Sequence, residues 1–197
     1  MNNDVTNILV VGIGGQGVMT AADILGTTAL SLGYDVKKTE VAGMAQRGGV
    51  VTSHVRFGPK VYSPAIKPGT ADLMLAFEPA EALRWAPHLK PDGLLMVNTY
   101  AQEPPVVSIG LFDYPEAPLD KIRAMGIETH DYNAGQSAIE LGDRRLINSI
   151  MLGAISDHLP FPAETLEERL LDRFRHKGDK LVDLNQQAFD LGRKAFA

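Results

Sequence analysis

The sequence predicts an α/β fold, a Rossmann-like three-layer domain with a mixed sheet and a helical C-terminal tail. Three observations predict it. Apolar runs of strand length, ILVV at 8–11, ADLMLAF at 71–77 and GLLMVNT at 93–99, are separated by segments of helical period. The first run passes directly into GIGGQG at 12–17, where a glycine turn leads a strand into a helix. VVTSHVRF at 50–57 alternates strictly, as a strand with one covered face does, so an antiparallel member is expected.

Each element has its own reason. NILVV at 7–11 is a short β-branched run fit for a buried strand. The helix over about 16–32 follows from Val18, Ala21, Ala22, Leu25, Ala29 and Leu32 at three- and four-residue spacing, with Gly33 in the place of a C-terminal cap. YDVKKTEV at 34–41 is the second strand and completes a βαβ opening. GMAQRGG at 43–49 is a second glycine loop, and 50–57 the next strand. GPKVYSPAIKPG at 58–69, with three prolines, is a connecting loop. Pro79 suits the first turn of a helix over 79–89, where a missing N–H costs little. Pro104, Pro105, Pro115 and Pro118 exclude a long helix between 100 and 118. A short helix over 118–126 stops at Gly126, a strand follows at 127–133, and RRLINSIMLGAISDHL at 144–159 is helical in period. Gly153 inside it costs roughly 1 kcal/mol against alanine, which predicts the close approach of another backbone. Thr165 with Glu168 forms a capping-box pattern, and Gly178 separates that helix from a last one over about 180–195. The expectation is one domain over 1–197, with a helical tail from about 163.

Composition narrows the function. A chain of 197 residues can bury about 70% of its unfolded surface. Its 19 basic and 24 acidic side chains leave a formal charge of −5, which offers no cationic field for nucleic acid or an anionic membrane. No apolar run approaches the roughly 20 residues of a membrane span, and MNNDVTN carries no basic start of a secretory signal. A cytoplasmic location is expected. There is no cysteine, so thiolate catalysis, thiolate-bound zinc and an ordinary iron–sulfur cluster in this chain are excluded. The five histidines, at 54, 88, 130, 158 and 176, are scattered and suggest no metal site.

GIGGQG contains G-x-G-x-x-G at Gly12, Gly14 and Gly17. A helix N-terminus presents unpaired N–H groups and a partial positive charge, so such a loop can hold a phosphate. Glu40, 23 residues beyond Gly17, lies near the place of a ribose-binding acid. Three readings stay open on the residues alone: a tight turn without ligand, a contact with an anion or diphosphate, and a nicotinamide site. The second loop adds Gln46 and Arg47 on glycine-rich backbone at the same expected sheet edge, and Arg47 has the fork geometry for a carboxylate or phosphate.

GIGGQGVMTAADIL, EVAGMAQRGGVVTSHVRFG and ADLMLAFEPAEALRWAPHLKPDGLLMVNT together resemble the gamma-type domain of the 2-oxoacid:ferredoxin oxidoreductases, in its indolepyruvate branch. LINSIMLGAI, with Asn148, fits the same pattern, and the resemblance is continuous over about 6–157. It implies a subunit, inactive alone, of an enzyme that converts an aryl pyruvate and coenzyme A to an arylacetyl-coenzyme A and carbon dioxide, with ferredoxin reduced through the complex. Thiamine diphosphate and the [4Fe-4S] clusters would be carried by a larger alpha subunit, with no cofactor or metal held by this chain itself. An isolated chain could form a homodimer. The family pattern falls on Gly12, Gly14, Gly15, Gln16 and Gly17, and on Glu40, Met44, Gln46, Arg47, Gly48 and Gly49. These loops are expected to form a wall facing the partner's active site or coenzyme A. Met44 is a candidate apolar contact, and His54 and Arg56 are candidate polar interface groups. Asn148 is expected to bond a loop backbone, since a buried amide needs partners. No residue is assigned as catalytic. Two alternatives remain: a stand-alone NAD(P) dehydrogenase using Gly12–Gly17 and Glu40, and a non-catalytic assembly domain.

Overall fold

The structure, a computed structural model, describes residues 5–42, 49–101, 107, 110 and 113–196. Strand β1 (Thr6–Ile13) leads through the glycine turn into α1 (Val18–Ser31), β2 (Asp35–Ala42) and β3 (Val50–Gly58). β4 (Ala71–Ala76) and α2 (Pro79–Trp85) follow, then a single 3-10 turn and β5 (Leu89–Asn98). After the proline-rich stretch come α3 (Pro118–Ala124), β6 (Glu128–Tyr132) and α4 (Ala134–Glu140). The last helices are α5 (Ile147–Ile155), α6 (Ala163–Arg175) and α7 (Asp179–Lys194).

The strands form one sheet in the order β2-β3-β1-β4-β5-β6. β1, β4, β5 and β6 run parallel, and β3 is antiparallel to both β1 and β2. The sheet is therefore mixed, as its sequence suggests, although the inferred half-burial of β3 is wrong. β3 lies inside the sheet, and Thr52, Ser53 and His54 are all buried. Its alternation separates a helix-covered face from a polar but enclosed one.

Two cores lie on the two faces, and β1 divides its side chains between them. Ile8 and Val10 pack with α1, α5, α6 and α7, whereas Leu9 and Val11 pack with α2 and α3. The helices beyond residue 163 are thus part of the main core: Leu166, Leu170, Ala188 and Phe189 are buried in it. The close approach predicted at Gly153 is real. A Cβ there would sit 2.0 Å from the carbonyl oxygen of Phe189, and one at Gly192 would sit 1.9 Å from that of Ile150. α5 and α7 cross backbone to backbone, glycine against carbonyl in both directions.

Four local expectations change. α6 begins at Ala163 with Pro162 before it and no side-chain cap, so Thr165 lies inside the helix and makes no capping box. α4 has no precedent in the hydrophobic pattern; Asn133 starts it by accepting from the Gln136 N–H at 2.9 Å. The helix over 79–89 is shorter and passes into the 3-10 turn at Ala86. Finally, β1–α1–β2 exists, but its two strands are not neighbours, because β3 lies between them.

Candidate functional site

The parallel strands β1 and β4 are adjacent, yet the helices that follow them cover opposite faces. Connections diverging from neighbouring carboxyl ends open a crevice, the usual ligand position in an open α/β sheet. Here the crevice is a cleft of about 540 Å³, lined by Gly15–Gly17 and Thr20, by Phe77 and Asn98 beyond β4 and at the end of β5, by Tyr100, and by Arg144–Arg145 and Ile147–Ser149. Leu170 and Phe174 of α6 close its apolar side.

The glycines have separate reasons. A Cβ at Gly12 would meet the Gln16 amide oxygen at 2.8 Å, Val18 at 2.9 Å and Phe77 at 3.0 Å, so only glycine lets β1 pass under its own loop. Gly17 caps α1 in the left-handed region, at φ 86°, and its carbonyl accepts the Asn148 amide N–H at 2.7 Å. The expected role of Asn148 is therefore realised: it ties α5 to the glycine loop. Its Oδ1 is buried without a partner among the described residues. The Gln16 side chain turns back and accepts the Ile13 N–H at 2.8 Å, which fixes the loop from within. Gly15, at φ 102°, has open space where a side chain would be.

The first glycine turn meets Gly49, the last residue of the second segment. The Gly14 N–H donates to the Gly49 carbonyl at 2.8 Å, because the β1–β3 ladder ends at Ile13 opposite Val50. Met44, Gln46, Arg47 and Gly48 lie outside the described residues. Glu40 is not brought to the loop. It stands opposite Ser53, itself opposite Val10, so two strand spacings, about 10 Å, separate it from β1. Its carboxylate pairs with Lys38 at 2.6 Å. A ribose-binding acid needs the strand next to the glycine turn, and β3 occupies that position.

His54 and Arg56, the candidate polar interface groups, bond within their own chain. His54 Nδ1 accepts the Ile66 N–H at 3.0 Å, and Arg56 donates to the Ser63 and Ala65 carbonyls at 2.7 and 3.3 Å and to Asn7 at 2.7 Å. Both pin the 58–69 loop to β3. Burial, with the nearby His88 as a second cause, holds the His54 pKa below the ordinary imidazole value.

The cleft's other polar groups escape sequence reasoning. Arg144 donates to the Tyr100 hydroxyl at 2.7 Å with its guanidinium 5.0 Å from that ring's centre. It has no carboxylate in ion-pair range among the described residues, whereas Arg145 is held by Asp143 at 2.6 Å. Outside the cleft lining, fully buried Glu78 sits just past β4, accepting from the Glu81 N–H at 3.0 Å and from the Tyr114 hydroxyl. Burial outweighs those bonds and pushes its carboxyl pKa up. The pair Glu78-Pro79 is a helix start legible in the sequence. Arg144 gives no such signal, because only the fold brings it into one cleft with residue 17. Among the described residues no group of three metal-ligating side chains converges, and no helix is long and apolar enough to cross a membrane.

Residues 7–195 match the model of the family described as pyruvate ferredoxin/flavodoxin oxidoreductase. The chain belongs to this family. It is 41% identical to the indolepyruvate oxidoreductase subunit IorB of Pyrococcus horikoshii, over 96% of this chain and 95% of that one. It is 26% identical to the gamma subunit common to the pyruvate and ketoisovalerate oxidoreductases of Pyrococcus furiosus, over 91% and 92%. Among solved structures, the gamma subunit of a keto/oxoacid ferredoxin oxidoreductase from Geobacter sulfurreducens superposes with a TM-score of 0.69 at 21% identity, covering 97% of this chain and 98% of that one. The 2-oxoglutarate:ferredoxin oxidoreductase of Magnetococcus marinus does so at 0.76 and 24%, covering 98% of this chain and 31% of the larger one. This family member is a subunit of an oxidoreductase complex, and the α/β fold expected from its sequence is the family's fold.

Proposed function

We propose that the chain is the smaller subunit of an indolepyruvate:ferredoxin oxidoreductase, completing with a larger subunit an enzyme that oxidises an aryl 2-oxoacid to its acyl-coenzyme A thioester. The observation that carries this reading is likeness to IorB along nearly the whole of both chains. Cysteine is absent, so no thiolate is available here for an iron–sulfur cluster, and that chemistry falls to the partner. Thiamine diphosphate would supply the carbanion chemistry there.

This chain's contribution is the rim where Gly14 meets Gly49, and the cleft beside it. Coenzyme A, the acyl acceptor, is an anionic phosphate ester. The first turn of α1 carries no acidic residue and no side-chain cap, and Arg144 lines the same cleft with no carboxylate in ion-pair range among the described residues. These groups suit a phosphate in charge and position. The loop glycines keep the backbone bare for close contact with the ligand or the larger subunit.

The test is co-expression with a cysteine-rich, thiamine-binding larger subunit and assay of coenzyme A-dependent oxidation across several 2-oxoacids. Arylpyruvates are expected to be preferred, and Arg144→Ala to raise the KM for coenzyme A by about tenfold, the loss of one charge-assisted hydrogen bond. Gln46→Ala with Arg47→Ala is expected to weaken assembly or raise a KM. Unchanged assembly and unchanged constants in all these variants would reduce the chain to an assembly domain. NADH binding by the chain alone would favour a dehydrogenase instead.

A further inference from the structure

β2 ends the sheet with eight residues, and all eight pair with β3 in an unbroken antiparallel register. Among the described residues no strand pairs with its outer side. The opposite edge strand, β6, is only five residues long. A long unbulged edge is a template for another strand, and proteins commonly guard such edges with projecting lysines. β2 has two, but both are folded into ion pairs of their own chain: Lys37 with Asp35 at 2.6 Å, and Lys38 with Asp23 and with Glu40. Val41, on the face without a covering helix, is 55% exposed.

We propose that this edge pairs with the β2 of a second copy of the chain, antiparallel, about a two-fold axis through Thr39. The register follows from the residues. Directly opposed side chains in an antiparallel pair share one face, so the axis must pass through a residue. An axis at Lys37 or Lys38 sets a lysine against its own copy, and one at Glu40 sets two carboxylates together, each arrangement destabilising. The axis at Thr39 sets Lys38 of each copy against Glu40 of the other. It also places the Lys37 stem over Val41, with the two threonines facing each other at the centre. The second copy is favoured over other occupants because the segment carries its own complementary charges. Antiparallel pairing points the two glycine rims in opposite directions, so each stays open to a larger subunit. The paired strip is small beside an ordinary stable interface, so the dimer is weak and concentration-dependent.

Sedimentation velocity of the purified full chain, from micromolar to hundreds of micromolar, should show a monomer–dimer equilibrium. Lys38→Glu and Glu40→Lys should each weaken it by about tenfold, and the double swap should restore it, because the opposed charges are then exchanged. Since the chain has no cysteine, Thr39→Cys should give a disulfide-linked dimer under mild oxidation. Tyr62→Cys, at a position 90% exposed and far along the chain, supplies the rate of random collision. A monomer at every concentration would overturn the proposal. So would cross-linking of Thr39→Cys no faster than Tyr62→Cys, or a double swap that folds but stays monomeric. Shielding of Thr39→Cys by a larger subunit, without a chain-to-chain cross-link, would assign the edge to that subunit instead.

Discussion

Asn148 and Gly17 are 131 residues apart in sequence and share one hydrogen bond at 2.7 Å. Asn148→Ala removes that bond and should cost roughly 1 kcal/mol, read from the urea midpoint at unchanged slope. Gly17→Ala should cost more. Its backbone is left-handed at φ 86°, and the new Cβ would stand 2.5 Å from the Asn148 amide nitrogen. Because part of that penalty is a collision with Asn148, the two substitutions should not add. Gly17→Ala should be milder in the Asn148→Ala background, leaving only the backbone strain. Strict additivity in the double-mutant cycle would show that the new methyl and the Asn148 side chain do not collide. At this scale the sequence was informative where a residue's neighbours are local, as with Gly33, whose φ of 84° and N–H bond to Leu30 end α1 as its position suggests. It was silent on Arg144, whose partner Tyr100 lies 44 residues away, just past β5.

Among the elements, α5 and α7 are joined most closely. Each presents a glycine to a carbonyl of the other, so an added methyl meets fixed backbone rather than a yielding side chain. Gly153→Ala should therefore cost about 3 kcal/mol or more, far beyond the roughly 1 kcal/mol gain in helix propensity. Thermal unfolding of the variant reads the difference; an unchanged or raised midpoint would mean that the helices can move apart freely. A glycine set in an apolar helical run carried this contact in plain view. The strand order carried no such mark. β2 and β3 are both good strands, and nothing in YDVKKTEV or VVTSHVRF says which lies beside β1. The structure places β3 there, antiparallel to both β1 and β2. The helix α4 escaped because its seven residues hold too little apolar periodicity, and Thr165 misled because Pro162 begins the helix earlier.

For the whole molecule, buried titratable groups set how stability varies with pH. His54 and His88 are both held below the ordinary imidazole pKa, chiefly by burial. The fold keeps them neutral, and His54 Nδ1 must stay unprotonated to accept the Ile66 N–H. Their contribution is complete above the unfolded pKa of about 6.5 and is lost as pH falls through that value toward the lower folded ones. Glu78 and Glu81 act in the opposite sense: burial raises both, so their contribution is greatest at low pH and fades as pH rises through their folded values. The urea midpoint of wild type minus that of His54→Gln isolates the histidine part. That difference should shrink as pH falls from about 7.5 to about 5.5. A difference independent of pH would mean that His54 titrates alike in the folded and unfolded chain.

The reversed strand between β1 and β2 also limits what could ever be made of this scaffold. A designer wishing to graft a dinucleotide pocket onto GIGGQG would gain nothing by repainting position 40 with any acid or amide. The groove wall that should grip the sugar has been moved one lane outward, and only rethreading the chain would bring it back.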